Sequence, residues 1–251
     1  MKKLNIISYN IHKGMNPQGT KFILKEMREH LRAINADIVF LQEVIGQNTK
    51  SKHELDLWPD HNQVEYLAHD YWPHIAYGAN KLHQKGHHGN AILSKFPIEN
   101  IVNFDLTTNR FEHRGLLSAD LDIGLNIPFH LFSTHLNLLE SGRIAQTEKI
   151  ISIIEEKTKD QSPLLLCGDF NDWRKTIIQK LNQDLSLLEI FHHHEGDLIK
   201  SFPSFLPGLS LDRIFYKNLE AIQAQGLKEG PWKKLSDHLP LLAEFQIKLK
   251  D

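Results

Sequence analysis

Residues 164–171 read Leu-Leu-Leu-Cys-Gly-Asp-Phe-Asn. Four apolar residues in a row, then a glycine and two polar side chains, describe a short buried strand that stops at a turn. The same form recurs along the chain. LNIISYN ends at Asn10, IVFLQE at Glu43, and FHLFSTHLN presents His135 and Asn137. LSLDRIF carries Asp212, and LSDHLP carries Asp237 and His238. Open α/β sheets hold ligands outside the carboxyl ends of their strands. Six such segments offering only oxygen and nitrogen donors predict one metal-assisted hydrolytic site gathered from the whole chain.

The stretches between these ends repeat one plan. Strand 3–10 leads to a helix near 20–34 and a strand 37–42. In that helix Ile23, Met27, Leu31 and Ile34 share a face at the helical period. Strand 129–136 leads to a helix near 141–157 and a strand 163–167, with Ile144, Ile151 and Ile154 on one face. Two β-α-β halves predict two sheets packed together with helices outside. Between them GNAILSKFPI and RGLLSADLDIG read as strands joined by turns. The polar segment 46–65, with Trp58-Pro59, reads as a long surface loop near the mouth. TIIQKL at 176–181 reads as a short helix, and SFPSFLPGLS at 201–210 as a loop entering the LDRIF strand.

The chain has 251 residues with no linker rich in Gly, Ser or Pro, no charge block and no low-complexity tract, and residues 1–251 are read as a single domain. Hydrophobic content of 41% suits a globular protein with a sizeable core, and a net charge of −2 excludes a polybasic nucleic-acid binder. Local basic patches stay possible; a nuclease would need Arg114, Arg143, Lys81 and Lys85 to form one. The single cysteine, Cys167, excludes an internal disulfide or cysteine-based metal cluster and fits a reducing cytoplasm. MKKLNIISYNIHKG begins with two lysines like a secretion signal, but Asn5 and Asn10 interrupt its apolar run, so it reads as the first strand. No apolar run approaches the ~20 residues of a membrane span. A cytoplasmic monomer without stable membrane insertion is expected.

Glu43 ends an apolar run, where a carboxylate is costly unless paired or bound to a cation. Carboxylate and amide donors suit Mg²⁺ or Mn²⁺. Gly168 permits an unusual backbone, so Asp169 and Asn171 can face one side of their turn; a helix cap would use the same residues. Asp237 can bind metal, His238 can serve as acid or base, and Asp212 can orient the imidazole. The alternative for His238 is an exposed loop histidine. His192, His193 and His194 lie away from any strand end and read as a solvated face. His135 is a second imidazole for phosphate oxygens. Arg143 and Arg114 read equally well as phosphate contacts or as solvated side chains.

In the order SYNIHKG, FLQE, HHGNAILSKFPI, STHLN, GDFND, LDRIF and SDHLP, the chain resembles the endonuclease/exonuclease/phosphatase (DNase I-like) superfamily, and a bacterial branch of it most closely. The resemblance implies a four-layer α/β sandwich of two mixed sheets flanked by helices, acting with one or two Mg²⁺ or Mn²⁺ ions. It implies metal-side roles for Asn10, Glu43 and Asp237. It implies that Asp169 activates water with Asn171 beside it, that His135 and His238 stabilise the phosphate, and that Asp212 supports an imidazole. Asn90 and Asn137, with Arg143 and Arg114, fall on the substrate side. The chain has neither the long basic insertion nor the aromatic wedge of abasic-site enzymes. The expected activity is phosphodiester or nuclease hydrolysis. A phospholipid head group or phosphorylated small molecule is the alternative substrate, and a non-catalytic scaffold the alternative class. FLPGL at 205–209 and Trp232 motivate the lipid alternative.

Overall fold

Along the strands, successive side chains alternate between two buried faces, which is why the runs read as uniformly apolar. In Leu164–Asp169, Leu165 and Cys167 enter one core cluster while Leu164 and Leu166 enter another. A computed structural model gives this arrangement and describes residues 2–48, 62–83, 86–124, 126–159, 161–194 and 196–247.

The strands are β1 (Lys2–Asn10), β2 (Ile38–Asn48), β3 (His74–His83), β4 (Gly86–Ser94), β5 (Ile98–Asp105), β6 (Gly115–Leu121), β7 (Phe129–His135), β8 (Leu164–Asp169), β9 (Leu188–Glu189), β10 (Asp212–Lys217), β11 (Glu220–Gly226) and β12 (Leu241–Ile247). The helices are α1 (Leu24–Ile34), α2 (Gln63–Ala68), α3 (Glu140–Lys157), α4 (Thr176–Leu185), α5 (Ile190–His194) and α6 (Trp232–Leu235). One six-stranded sheet runs β11-β12-β1-β2-β4-β3 and the other β5-β6-β7-β8-β10-β9. Each is antiparallel except for one central parallel pair, β1 with β2 and β7 with β8. Those pairs flank α1 and α3, so the two β-α-β units occupy equivalent places in the two sheets.

Ile6, Phe40, Leu131, Leu165, Ile214 and Phe245 fill the space between the sheets. α1 packs Met27 and Leu31 with Val39, Leu41 and Trp72 on the outer side of the first sheet. α3 and α4 cover the outer side of the second through Ile150, Ile154 and Leu181 against Phe132 and Leu166. The result is the expected four-layer α/β sandwich.

Several boundaries differ from the sequence reading. α1 starts at Leu24 because residues 16–21 close on themselves, Asn16 Oδ1 accepting from the amides of Thr20 and Lys21. α3 buries Ile150, Ile151 and Ile154 but leaves Ile144 44% exposed, since Arg143 and Gln146 take the inward places in its first turns. TIIQKL extends to Leu185. Segment 46–65 is not all loop: β2 continues to Asn48, and Asn62 caps α2 by accepting from the Glu65 amide at 2.8 Å. Trp58-Pro59 lies outside the described residues. The His192–His194 run ends α5 with its side chains exposed.

Candidate active site

The two parallel pairs point their carboxyl ends to the same edge of the sandwich. Asn10 is in register with Gln42, and His135 with Asp169. The other contributors arrive from the opposite direction. β10 runs antiparallel to β8, so its first residue, Asp212, faces Asp169. Asp237 and His238 precede β12, which runs antiparallel to β1. The polar ends therefore meet although half of them open strands rather than close them.

Asp169 is at the centre and 2% exposed. Its Oδ2 accepts from Asn10 Nδ2 at 3.1 Å, and its Oδ1 from the Asn171 amide at 3.0 Å. His135 Nε2 and His238 Nε2 lie 3.5 and 3.6 Å from the same Oδ2. His238 Nδ1 is 2.8 Å from Asp212 Oδ2, which also accepts from Ser201 Oγ at 2.5 Å. Phe202 packs on the His238 ring at 4.9 Å.

These contacts divide the two imidazoles. Burial opposes charge on His238, but the charges of Asp212 and Asp169, the hydrogen bond to Asp212 and the charge of Asp237 raise it to about 10. It is a cation at neutral pH, and Nδ1–H donates to Asp212. Burial, with Arg114, His238 and His88 nearby, holds His135 well below the usual imidazole range, against the pull of Glu43. His135 is neutral and can donate a hydrogen bond but brings no charge. Burial and the charge of Asp212 push Asp169 up, against His238, the Asn171 amide and Asn10, to about 6.

Glu43 does not end its strand. The pairing of β2 with β4 shifts between Leu41 and Val44, and Glu43 occupies that bulge at φ 56°. Bulges re-aim side chains beside active sites. Its carboxylate meets Lys13 Nζ at 3.0 Å. Burial would raise this carboxyl, but the surrounding positive charge takes it down to about 2. His135, Lys13 and His238 are the charges that act on it, and with His135 neutral Lys13 and His238 still favour the ionised carboxylate. His12 and Lys13 also have left-handed backbones, at φ 45° and 58°, as does Asn171 at 50°. Strained backbone gathered at one sheet edge is a mark of functional sites.

Among the described residues, only Asp169, Asp212 and His238 bring three Asp, Glu, His or Cys donor atoms within 4.8 Å of one another. His238 already holds that group together, through its hydrogen bond to Asp212 and its charge beside Asp169. A hard divalent cation fits better on Glu43, an ionised and partly exposed carboxylate, than on that trio. Asp237, also partly exposed, lies 3.8 Å from His12 Nδ1, and Asn10 Oδ1 accepts from the His12 amide at 3.1 Å. Oxygen atoms of Asn90 and Asp212 are buried without a hydrogen-bond partner among the described residues.

Two residues expected on the substrate side make bracing contacts to loops. Asn137 donates to Thr108 Oγ1 at 2.9 Å and accepts from Gln146 Nε2 at 3.0 Å. Arg143 is buried, donates to the Leu138 carbonyl and lies under the Trp173 ring at 4.5 Å. It is not solvated, because it donates to the loop carbonyls after β7. Arg114 pairs with Glu112 at 3.3 Å and stays close enough to His135 to depress its basicity. Asn90 donates to the Gly115 carbonyl at 3.2 Å. Lys85 and the side chain of Lys81 lie outside the described residues.

Sequence reasoning missed Ser201, Lys13, His12 and Arg213. Arg213 is fully buried, donates to the carbonyls of Asp212 and Asp172 at 2.9 and 3.0 Å, and so ties β10 to the Asp169 turn. A charged residue inside LDRIF was the available signal. Asp172 caps α4 by accepting from the Thr176 and Ile177 amides.

The sequence profile of the Endonuclease/Exonuclease/phosphatase family matches residues 7–238. The Escherichia coli K12 protein YbhP is 39% identical over 243 residues, 96% of both chains. The crystal structure of an endonuclease/exonuclease/phosphatase from Bacteroides vulgatus superposes with a TM-score of 0.75 at 18% identity, covering 99% of this chain and 100% of that one. A Bacteroides thetaiotaomicron mannosyl-6-phosphatase superposes with a TM-score of 0.70 at 16% identity, covering 97% and 100%. With its profile matched over nearly the whole chain and its fold shared, the chain belongs to the Endonuclease/Exonuclease/phosphatase family, whose name describes phosphoester hydrolysis.

Proposed function

We propose that this protein is a Mg²⁺- or Mn²⁺-dependent phosphodiesterase whose attacking water is activated by Asp169. The observation that carries this reading is the pairing of a buried carboxylate, raised to about 6, with a cationic imidazole 3.6 Å away. Near pH 7 Asp169 is ionised yet still basic enough to accept a proton from water, the compromise that favours a general base. His238 keeps its proton and donates Nε2–H to a phosphoryl oxygen, while Asp212 and Ser201 fix the ring. His135 donates a neutral hydrogen bond from the other side. As water oxygen bonds to phosphorus, its proton passes to Asp169 and the ester P–O bond breaks; the departing alkoxide takes a proton from bulk water, so that an alcohol and a phosphomonoester are released, and Asp169 returns its proton to solvent. Glu43, with Asn10 and Asp237, would hold the cation, which when bound neutralises charge on the phosphoryl oxygens.

Phosphomonoester hydrolysis is the second reading, favoured by the fold shared with a mannosyl-6-phosphatase. Bis-p-nitrophenyl phosphate and p-nitrophenyl phosphate, assayed side by side, separate the two. EDTA should abolish turnover, and Mg²⁺ or Mn²⁺ should restore it. Calorimetry should detect Mn²⁺ binding that Glu43→Gln weakens at least about tenfold. Full activity after rigorous chelation would sink the metal-dependent mechanism.

A further inference from the structure

The mouth of the site is flanked by large apolar side chains that the catalytic chemistry does not use. On one side the loop after Ser201 carries Phe205, Leu206 and Leu209 at 60, 73 and 41% exposure. This loop is tied to the centre: the Ser204 amide donates to the Asp237 carbonyl at 2.7 Å, next to the contacts of Ser201 and Phe202 already described. On the other side Leu138 and Leu139 directly follow Asn137 and are 56 and 67% exposed. The Leu138 amide donates to Glu112, which brings the exposed Phe111 beside them. Trp232, by contrast, is buried against Tyr9 and belongs to the core.

Cations stand among these tips. A cleft of about 610 Å³ beside Phe205 is lined by Lys21, Lys233 and Lys234. Its acid, Glu26, pairs with Lys21, leaving the exposed Lys233 and Lys234 to set its charge. Arg110 lies over the Phe111 ring on the opposite side.

We propose that these two apolar loops, one flanked by Lys233 and Lys234 and the other by Arg110, form a docking rim that seats the mouth on an anionic lipid surface, with a lipid phosphodiester as the substrate class. The substrate half rests on the phosphodiesterase reading; the docking half does not. Protruding Phe and Leu tips with adjacent lysines match an anionic interface, where apolar groups enter the acyl boundary and cations meet the head groups. A nucleic-acid surface would want stacking rings in succession along a basic groove, whereas most of these tips are leucines, with Phe205 and Phe111 the two rings among them, and the chain carries −2 overall. A protein partner normally needs a continuous patch of about 800 Å² on each side; here the apolar groups are separate tips divided by the polar centre.

The test uses the full chain carrying Asp169→Asn, so that binding is read without turnover. It is co-sedimented with phosphatidylcholine vesicles containing or lacking phosphatidylserine. Partition onto the anionic vesicles is expected. Phe205→Ser with Leu206→Ser should cut it at least about tenfold, on the scale of exposing one buried large apolar side chain. Lys233→Glu with Lys234→Glu should cost about fivefold or more per lysine and erase the preference for phosphatidylserine. In the otherwise native chain, the Phe205/Leu206 variant should hydrolyse soluble bis-p-nitrophenyl phosphate normally, which separates a failed rim from a failed catalytic assignment. Equal partition of the native and serine-substituted loops would overturn the proposal. So would absence of vesicle binding, or loop-dependent self-association or DNA binding in its place.

Discussion

Asp169 has its two oxygens engaged by different partners, Asn10 from the first sheet and the Asn171 amide of its own turn, and both favour the ionised form. Burial works against them. The outcome sets a pH dependence whose sign is fixed: turnover should rise as pH increases through about 6, because the base must lose its proton before it can take one from water. His238 stays protonated until about 10, so no loss from that group is expected near neutrality. Asp169→Asn should lower kcat by at least about 10²-fold and remove the acid limb, with the circular-dichroism spectrum unchanged. His238→Ala should cost as much or more, since it deletes the cation facing the phosphate. Normal turnover by both folded variants would refute the assignment. At this scale the sequence reading was informative about identity and weaker about state. Asp169, Asp212 and His238 stand out beside apolar runs, but nothing in the sequence distinguishes a neutral His135 from a cationic His238. That difference comes from three carboxylates around one ring and an arginine beside the other.

The pairing of β7 with β8 shows how a whole element serves the site. His135 and Asp169 are register partners, so the strand alignment itself sets their separation. Gly168, at φ 154°, sits where a Cβ would be 1.9 Å from the Thr134 carbonyl oxygen. That obstacle is backbone and cannot rotate away. Gly168→Ala should therefore push the strands apart and cost about 3 kcal/mol, the upper end of ordinary overpacking. In a chain of this size that is a fall in Tm of roughly 6–12 °C, readable by calorimetry. A variant melting within about 1 °C of the parent would mean the close approach is not rigid. The glycine was visible in GDFN, yet the reason for it was not, because the obstructing carbonyl is 34 residues earlier. The Glu43 bulge was hidden for a related reason: the run IVFLQEVIG reads as continuous, and only the register against β4 exposes the extra residue.

For the molecule as a whole, the two β-α-β units and the four layers were legible because period-2 and period-3.6 apolar patterns suffice for them. The direction from which each polar residue reaches the edge was not, since it depends on antiparallel pairing between segments far apart, as with Asp212 opposite Asp169. The partners of Arg143 and Asn137 were hidden for the same reason; they lie in loops whose positions the pattern does not encode. The overall charge also makes a prediction. With a net charge of −2, duplex DNA should bind weakly, and the logarithm of its affinity should fall only slightly with the logarithm of salt concentration, each phosphate contact contributing a slope of about −0.9. A salt series on the Asp169→Asn protein tests this, and a tight complex with a steep slope would argue for a duplex nuclease. The hydrogen bond from Asn10 to Asp169 joins residues 159 positions apart, and His238 arrives 69 residues later still. A ribosome making this chain thus releases the β1 and β2 contributions, Asn10 and Glu43, well before Asp169, and Asp169 well before the cationic imidazole. Until the segment around His238 clears the exit tunnel and folds in, the growing polypeptide holds the proposed base without the proposed phosphate anchor, so on that assignment hydrolysis waits until this segment has been made.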